Sequence, residues 1–297
     1  MTWSCGPLDL DDARTSPIGA LPPPVVIALV RAAAASAAYD GPPPPAGAAT
    51  VVPGRRTVIK VQHRRHETLS VLTALERIRV RSGLPAPALL ACGELDLDGG
   101  PYWWTVLARA TGVHGGPGDR LAERQRRVGA LLRRWHDTVP ATGYRLDDPG
   151  AAALFFGEIR MRDRPAALRL VAALDRACRG APMSAIHGDL AVGHNVLFCG
   201  GRPSAVLDPG AVQVGPPMVD LAWSVAVDLG LGGTIHDAVD GYGCGRVDTG
   251  LLHRLLPLMA QRRYVDVVAQ RCADEAARLA AWLVAHDVEP PSCARPD

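Results

Sequence analysis

One residue type is almost missing from this 297-residue chain: Lys60 is its single lysine, where Lys and Arg together number 32. Arginine carries nearly all the positive charge, so the lone ammonium marks a position suited to a compact charge on a flexible stem. Aromatics reach only 5% against 48% apolar residues, so Ala, Val and Leu must fill the core. None of the seven cysteines forms a C-x-x-C pair, which removes zinc-finger and thioredoxin-type readings. Their odd number and irregular spacing fit a reduced, cytoplasmic protein. No uncharged apolar run approaches the ~18 residues a membrane span needs, and the first residues lack the pattern of a signal peptide. The net charge of +2, with no basic stripe interleaved with aromatics, argues against nucleic acid or an anionic membrane as partner. No repeat of fixed period occurs.

The chain is expected to have three parts. Residues 1–24, rich in Pro, Gly and Asp, read as a poorly ordered lead-in. Residues 25–110 read as a small sheet with helices. They comprise a helix from Pro23 to Ala38, short strands at Ala48–Val52 and Thr57–Val61 joined at Pro53-Gly54, and a helix at 66–81 with leucines at helical spacing. Strands at Leu89–Cys92 and Tyr102–Ala108 follow, separated by an acidic turn from Glu94 to Gly100. Residues 111–297 read as mainly helical, with helices at Leu121–Asp137, Ala151–Arg162 and Ala166–Arg179 and a helical pattern after Pro217. Three short strands interrupt them, at Ser184–Ile186, Asn195–Phe198 and Ala205–Leu207. The run Gly112–Gly118 reads as a connector.

The most informative stretch is His187-Gly188-Asp189-Leu190, with His194-Asn195 at the start of a strand and Leu207-Asp208 after the next. This puts one carboxylate on a tight loop, an amide a few residues on and a second carboxylate at a strand end. Phosphoryl transfer needs such a set: one Asp to accept or orient the acceptor hydroxyl proton, and two oxygen ligands for Mg²⁺ on the nucleotide phosphates.

These motifs resemble the catalytic and metal-binding loops of the aminoglycoside-phosphotransferase family, itself similar to the eukaryotic protein kinases. Two further segments support the resemblance. Asp220 in Gly215–Ala222 matches the Asp that buttresses the catalytic loop, and Leu131–His136 matches a helix end of the family. The match is firm over roughly residues 120–230, and the combination is specific where single motifs are weak. It implies an α+β, two-lobed, protein-kinase-like fold, with ATP and Mg²⁺ as cofactors and a small-molecule hydroxyl acceptor as partner. Asp189 is the implied catalytic residue. The family places its Asn five positions after that Asp, where this chain has His194; Asn195 comes one later, at the usual distance from Asp208. The implied metal ligands are therefore Asp208 with Asn195 or His194, an amide oxygen suiting Mg²⁺ better than imidazole.

In the first lobe, Val58-Ile59-Lys60-Val61 resembles the strand whose Lys contacts the α/β-phosphates, with Glu67, or else Glu76, as its carboxylate partner. Trp104–Ala110 resembles the interlobe hinge, with backbone groups near Ala108 and Ala110 facing the adenine. Either Gly41–Gly47 or Pro53–Arg56 would cover the phosphates, and neither carries a Gly-rich fingerprint. His187, His136 and Asp220 read as structural supports. The implied function is transfer of the γ-phosphate of ATP to a small-molecule hydroxyl, on an antibiotic or antibiotic-biosynthetic intermediate. A metabolic small-molecule kinase acting on an amino alcohol or sugar, and a nucleotide-binding pseudokinase, are the alternatives.

Overall fold

A computed structural model of the protein describes residues 23–41, 51–62, 76, 79, 83–97, 100–118, 120–141, 145–146, 164–208 and 213–291. The predicted helix at 151–162, most of that at 66–81 with Glu67, and most of the Gly41–Gly47 run lie outside them. The chain forms two compact units, Met1–Arg65 with Leu89–Arg109, and His66–Ala88 with Ala110–Asp297.

In the first unit, α1 (Pro23–Ala34) packs on an antiparallel sheet of order β1-β2-β4-β3. The strands are β1 (Val51–Pro53), β2 (Thr57–Gln62), β3 (Leu89–Leu97) and β4 (Gly100–Ala108). Val26, Leu29, Val30 and Ala33 recur at helical spacing on α1 and meet Val52, Ile59, Val61 and Val106 of the sheet. Alternation along β2 buries Thr57, Ile59 and Val61 and turns Lys60 to the other face. Of the acidic turn expected at Glu94–Gly100, the residues Glu94 to Leu97 are strand: β3 runs on to Leu97, which pairs with Gly100. Glu94 and Asp96 sit on the exposed face of this edge strand, where alternating charges are well solvated.

In the second unit, β5 (Val113–His114), β7 (Val196–Cys199) and β8 (Arg202–Val206) form one small antiparallel sheet, of order β5-β7-β8. Another pairs β6 (Ser184–Ile186) with β9 (Gln213–Gly215). The supposed connector thus contributes a strand, Val113 pairing with Phe198. Its two residues are too few to show any period, as are the three of β9, which the sequence analysis missed. The helices are α2 (Leu121–Thr138), α3 (Arg164–Cys178), α4 (Pro217–Gly230), α5 (Ile235–Tyr242), α6 (Thr249–Ala269) and α7 (Ala273–Ala285). No helix among the described residues is long and apolar enough to cross a membrane.

Helix α4 is central. It starts on Pro217, whose missing N–H costs nothing in a first turn, and every residue from Met218 to Asp228 is buried. Its polar members, Asp220, Ser224 and Asp228, are four apart and so share one stripe. Trp135 and Leu132 of α2, Ile186 of β6 and Leu255 of α6 share its core, and Leu174 of α3 joins the same cluster.

Candidate active site

The segment His187–Asn195 links β6 to β7, and its backbone is held by a carboxylate from below. Asp220 Oδ2 accepts the His187 N–H and Asp220 Oδ1 accepts the Gly188 N–H, both at 2.7 Å. Gly188 has φ of +82°, which glycine adopts without strain. His136 Nε2 adds a third contact to Asp220 Oδ2 at 3.0 Å, and His136 Nδ1 lies 2.9 Å from the Tyr242 hydroxyl. With a neutral ring, Nε2–H donates to Asp220 and Nδ1 accepts from Tyr242. Burial pushes the Tyr242 phenol up to about 12, so it stays a donor. Asp220 is fully buried, and its oxygens are satisfied by these hydrogen bonds rather than by water.

Asp189 follows directly and is half-buried. Asn195 Nδ2 donates to the Asp189 carbonyl at 3.0 Å and to Asp189 Oδ2 at 2.9 Å. Both partners are acceptors, which fixes the amide with its Oδ1 turned away. Trp223 Nε1 donates to Asp189 Oδ1 at 3.0 Å, and His194 Nδ1 lies 3.3 Å from the same oxygen. Burial works to raise the Asp189 carboxyl, but the His194 contact and neighbouring Arg262 and His187 together hold it below the usual carboxylate range. Asp189 is therefore an ionised acceptor at neutral pH. The loop between Asp189 and Asn195 closes through the two-residue turn Val192-Gly193, across which Ala191 and His194 exchange both backbone hydrogen bonds at 3.0 Å.

Asn195 and Asp208 both adopt left-handed backbone, with φ of +56° and +48°. Asn and Asp tolerate that region better than other non-glycine residues, and such strain gathers at functional sites. The hairpin β7–β8 brings the two near each other: the Leu207 N–H donates to the Asn195 carbonyl at 2.7 Å. Asp208 is exposed. Two oxygen-bearing side chains at neighbouring strand ends suit Mg²⁺, which takes few protein ligands and fills its shell with water and phosphate.

Helix α6 adds charge beside Asp189. The Arg262 guanidinium stacks on the Trp223 ring, 4.2 Å from its centroid. Burial pushes the Asp266 carboxyl up, opposed by Arg262 and Arg263. Arg263 itself donates to Glu275 of α7 at 2.6 Å. Behind the loop, burial pushes Asp228 up to about 7, with the Gln125 amide and the Val192 N–H working the other way. Neither Asp228 oxygen makes a hydrogen bond of ordinary geometry, so those two approaches are loose.

In the first unit, Lys60 is half-buried on β2 between Val51 and Thr105, and its carbonyl accepts from Thr105 Oγ1 at 3.2 Å. Glu67 lies outside the described residues; Glu76, the fallback partner, takes a two-pronged hydrogen bond from Arg79 at 2.8 and 3.1 Å. Ala108 ends β4, and Ala110 opens the second stretch of the other unit. Two donors of the turn Pro53–Arg56 are taken: the Gly54 N–H donates to the Thr57 carbonyl at 2.8 Å and the Arg56 N–H to the Asp40 carboxylate at 3.0 Å. Those two donors are not available to a phosphate, and Asp40 adds a carboxylate there.

The sequence matches the phosphotransferase enzyme family (APH) over residues 49–258, and the chain belongs to that family. Its fold is α+β and protein-kinase-like, as solved structures independently show. An aminoglycoside-3'-phosphotransferase of type VIII aligns with a TM-score of 0.53 at 20% identity, covering 74% of this chain and 91% of that one. A choline/ethanolamine kinase family protein from Mesorhizobium loti gives 0.53 at 18%, covering 86% and 93%. An aminoglycoside phosphotransferase, APH(3'')-Id from Streptomyces rimosus, solved with ADP and streptomycin, gives 0.53 at 16%, covering 79% and 96%. Comparison with curated proteins returns no match. The chain is thus a phosphotransferase of the APH family.

Two residues of the network went unnoticed in the sequence. Trp223 lies three positions after Asp220 in a helix, so both face the loop; that spacing was a usable signal. Tyr242 gave none, since only helix packing brings it to His136.

Proposed function

We propose that this phosphotransferase moves the γ-phosphoryl group of ATP onto a hydroxyl of a small-molecule acceptor, an antibiotic or an antibiotic-biosynthetic intermediate. One observation carries the reading. Asp189 is an ionised carboxylate with both oxygens oriented by donors, on a loop whose backbone Asp220 clamps. Such a carboxylate can receive or orient the acceptor O–H. Its depressed basicity suits a loose transition state, in which the hydroxyl keeps its proton until late and catalysis is mostly positioning.

Asp208 and the Asn195 amide oxygen would hold Mg²⁺. His194 is the weaker candidate ligand because its ring nitrogen already faces Asp189. The metal, when bound, neutralises charge on the phosphates. Lys60 would pair with the α/β-phosphates and Glu67 would orient it, while backbone groups near Ala108 and Ala110 would receive the adenine. Since two N–H donors of the Pro53–Arg56 turn, those of Gly54 and Arg56, are committed, the Gly41–Gly47 run is the better candidate to cover the phosphates.

The second reading, a metabolic kinase, is favoured by one neighbour: the Mesorhizobium loti protein of the choline/ethanolamine kinase family aligns as well as the antibiotic kinases do. A panel of aminoglycosides, other hydroxylated antibiotics, amino alcohols and sugars, incubated with Mg²⁺ and ATP, separates the readings by a mass gain of ~80 Da on the product. A gain confined to choline-like or sugar acceptors would favour the metabolic kinase. Nucleotide binding with no phosphorylated product across the panel would favour the pseudokinase.

A further inference from the structure

The two oxygens of Asp189 are held by different parts of the molecule. Oδ2 is bound by Asn195, a member of the same loop. Oδ1 is bound by the indole N–H of Trp223, which comes from helix α4, 34 residues further along the chain. The Trp223 residue is 1% exposed, so water offers its N–H little alternative. A buried donor that loses its acceptor keeps the full cost of its desolvation, which makes the bond to Asp189 hard to give up.

The ring is itself held from two directions. Arg262 covers one face at 4.2 Å, and His194 meets the ring edge-on, with centroids 6.3 Å apart and planes at 89°. One turn before Trp223 on α4, Asp220 grips the N–H groups of His187 and Gly188. One helical turn therefore holds the loop backbone at 187–188 and the loop carboxylate at 189. With Oδ2 taken by Asn195, and His194 Nδ1 of the same loop 3.3 Å from Oδ1, the indole N–H is the donor from outside the loop that turns the carboxylate plane about its side chain.

We propose that Trp223 is a positioning residue for phosphoryl transfer: its indole N–H fixes the rotamer of Asp189, so that the carboxylate already faces the incoming hydroxyl. The proposal rests on Asp189 being the group that orients the nucleophile. A Trp223 that merely fills the core would serve through its ring alone. The N–H and the ring can be separated, because phenylalanine keeps an apolar ring under Arg262 and removes only the donor and some volume. Benzothienylalanine at position 223 goes further, replacing the N–H by sulfur in an isosteric ring, and covers the case in which Trp223→Phe folds poorly.

The test uses Mg²⁺-ATP turnover with water as the acceptor, read as ADP release, together with thermal unfolding. Both substitutions are expected to lower kcat by about tenfold or more while KM for ATP stays within about twofold, because orientation is lost and nucleotide binding is not. Thermal stability provides a second, activity-independent arm. In an Asp189→Ala background the destabilisation caused by removing the N–H should shrink, since the acceptor is already gone. Full kcat in the benzothienyl protein would overturn the proposal while leaving Asp189 untouched. An Asp189→Asn enzyme that retains ADP release would instead overturn the reading beneath it.

Discussion

His187 donates its Nε2–H to the carbonyl oxygen of Leu207 at 2.9 Å, across twenty residues of chain. The donor direction follows from the partner, since a carbonyl can only accept. The Leu207 peptide is thus gripped on both sides, its N–H being bound to Asn195. Asp189 lies two residues after His187, and Asp208 lies one after Leu207. The imidazole, packed edge-on against Trp135 at 5.2 Å, ties the placement of one carboxylate to that of the other.

Replacing His187 with Ala should therefore affect both functions of the loop. It leaves a half-buried carbonyl without its donor, costing about 1 kcal/mol before any cavity is counted. The expected outcome is a Tm lower by several degrees and weaker Mg²⁺-dependent nucleotide binding, measured by calorimetric titration. Unchanged nucleotide affinity would mean that Asp208 does not depend on this bond.

Asp189 and Asp208 should respond differently to removal. Asp189→Ala is expected to reduce turnover by about a thousandfold or more with ATP affinity nearly intact, because in the proposed mechanism it removes the group that orients the acceptor hydroxyl. Asp208→Ala should cut Mg²⁺-dependent nucleotide binding while leaving the metal-free affinity alone. Nucleotide titrations with and without Mg²⁺, alongside product mass, distinguish the two; equal effects on binding would refute the division of labour.

Asp220→Ala should be the most destabilising single change around the loop. It orphans two buried N–H groups and the His136 ring N–H together. A loss of about 3–5 kcal/mol is expected, seen as a large drop in the denaturant midpoint. Asp220→Asn, which keeps one good acceptor, should cost less; a cost below about 1 kcal/mol for the Ala variant would contradict the clamp.

Asp228 predicts a pH dependence of stability. Its folded-state pKa of about 7 lies above the ordinary 3.8, because burial disfavours the charge. The protonated form therefore favours the fold. Its stabilising effect is fully present below pH ~4 and is lost as pH rises towards 7, at up to about 1.4 kcal/mol per pH unit. Asp228→Asn cannot ionise, so its stability should gain on wild type between pH 5 and pH 8. Guanidinium melts at the two pH values check this; a constant difference would show that Asp228 does not titrate in that window.

Gly129 on α2 tests helix packing. A Cβ there would run into the carbonyl oxygen of Ala238 on α5. Gly129→Ala should cost about 1–3 kcal/mol despite its better helix propensity, measured by urea denaturation. A stabilised variant would mean that α2 and α5 can separate freely.

Much of the site was legible as spacing. Asp189, Asn195, Asp208 and Asp220 fall at positions whose chemistry can be read in one dimension, because a loop, a hairpin and a helix start each keep their residues close. Local composition located α2, α3 and strand β2 for the same reason. It failed at β3, where Glu94 and Asp96 looked like turn residues, because an exposed strand face accepts the same polar residues as a turn. It also missed β5 and β9, which are too short to have a period and exist only through their partners, β7 and β6.

The amino-acid sequence by itself determined which chemical groups are present, their order, and the helices and strands that carry them. Side-chain pattern and turn chemistry act over a few residues, and these features need no more. Tertiary structure alone decided that Trp223 meets Asp189, that His136 reaches Asp220 and that Tyr242 reaches His136. Those bonds join residues on separate elements, so they exist only once burial of apolar faces has packed the helices against the loop, and no local preference encodes that packing.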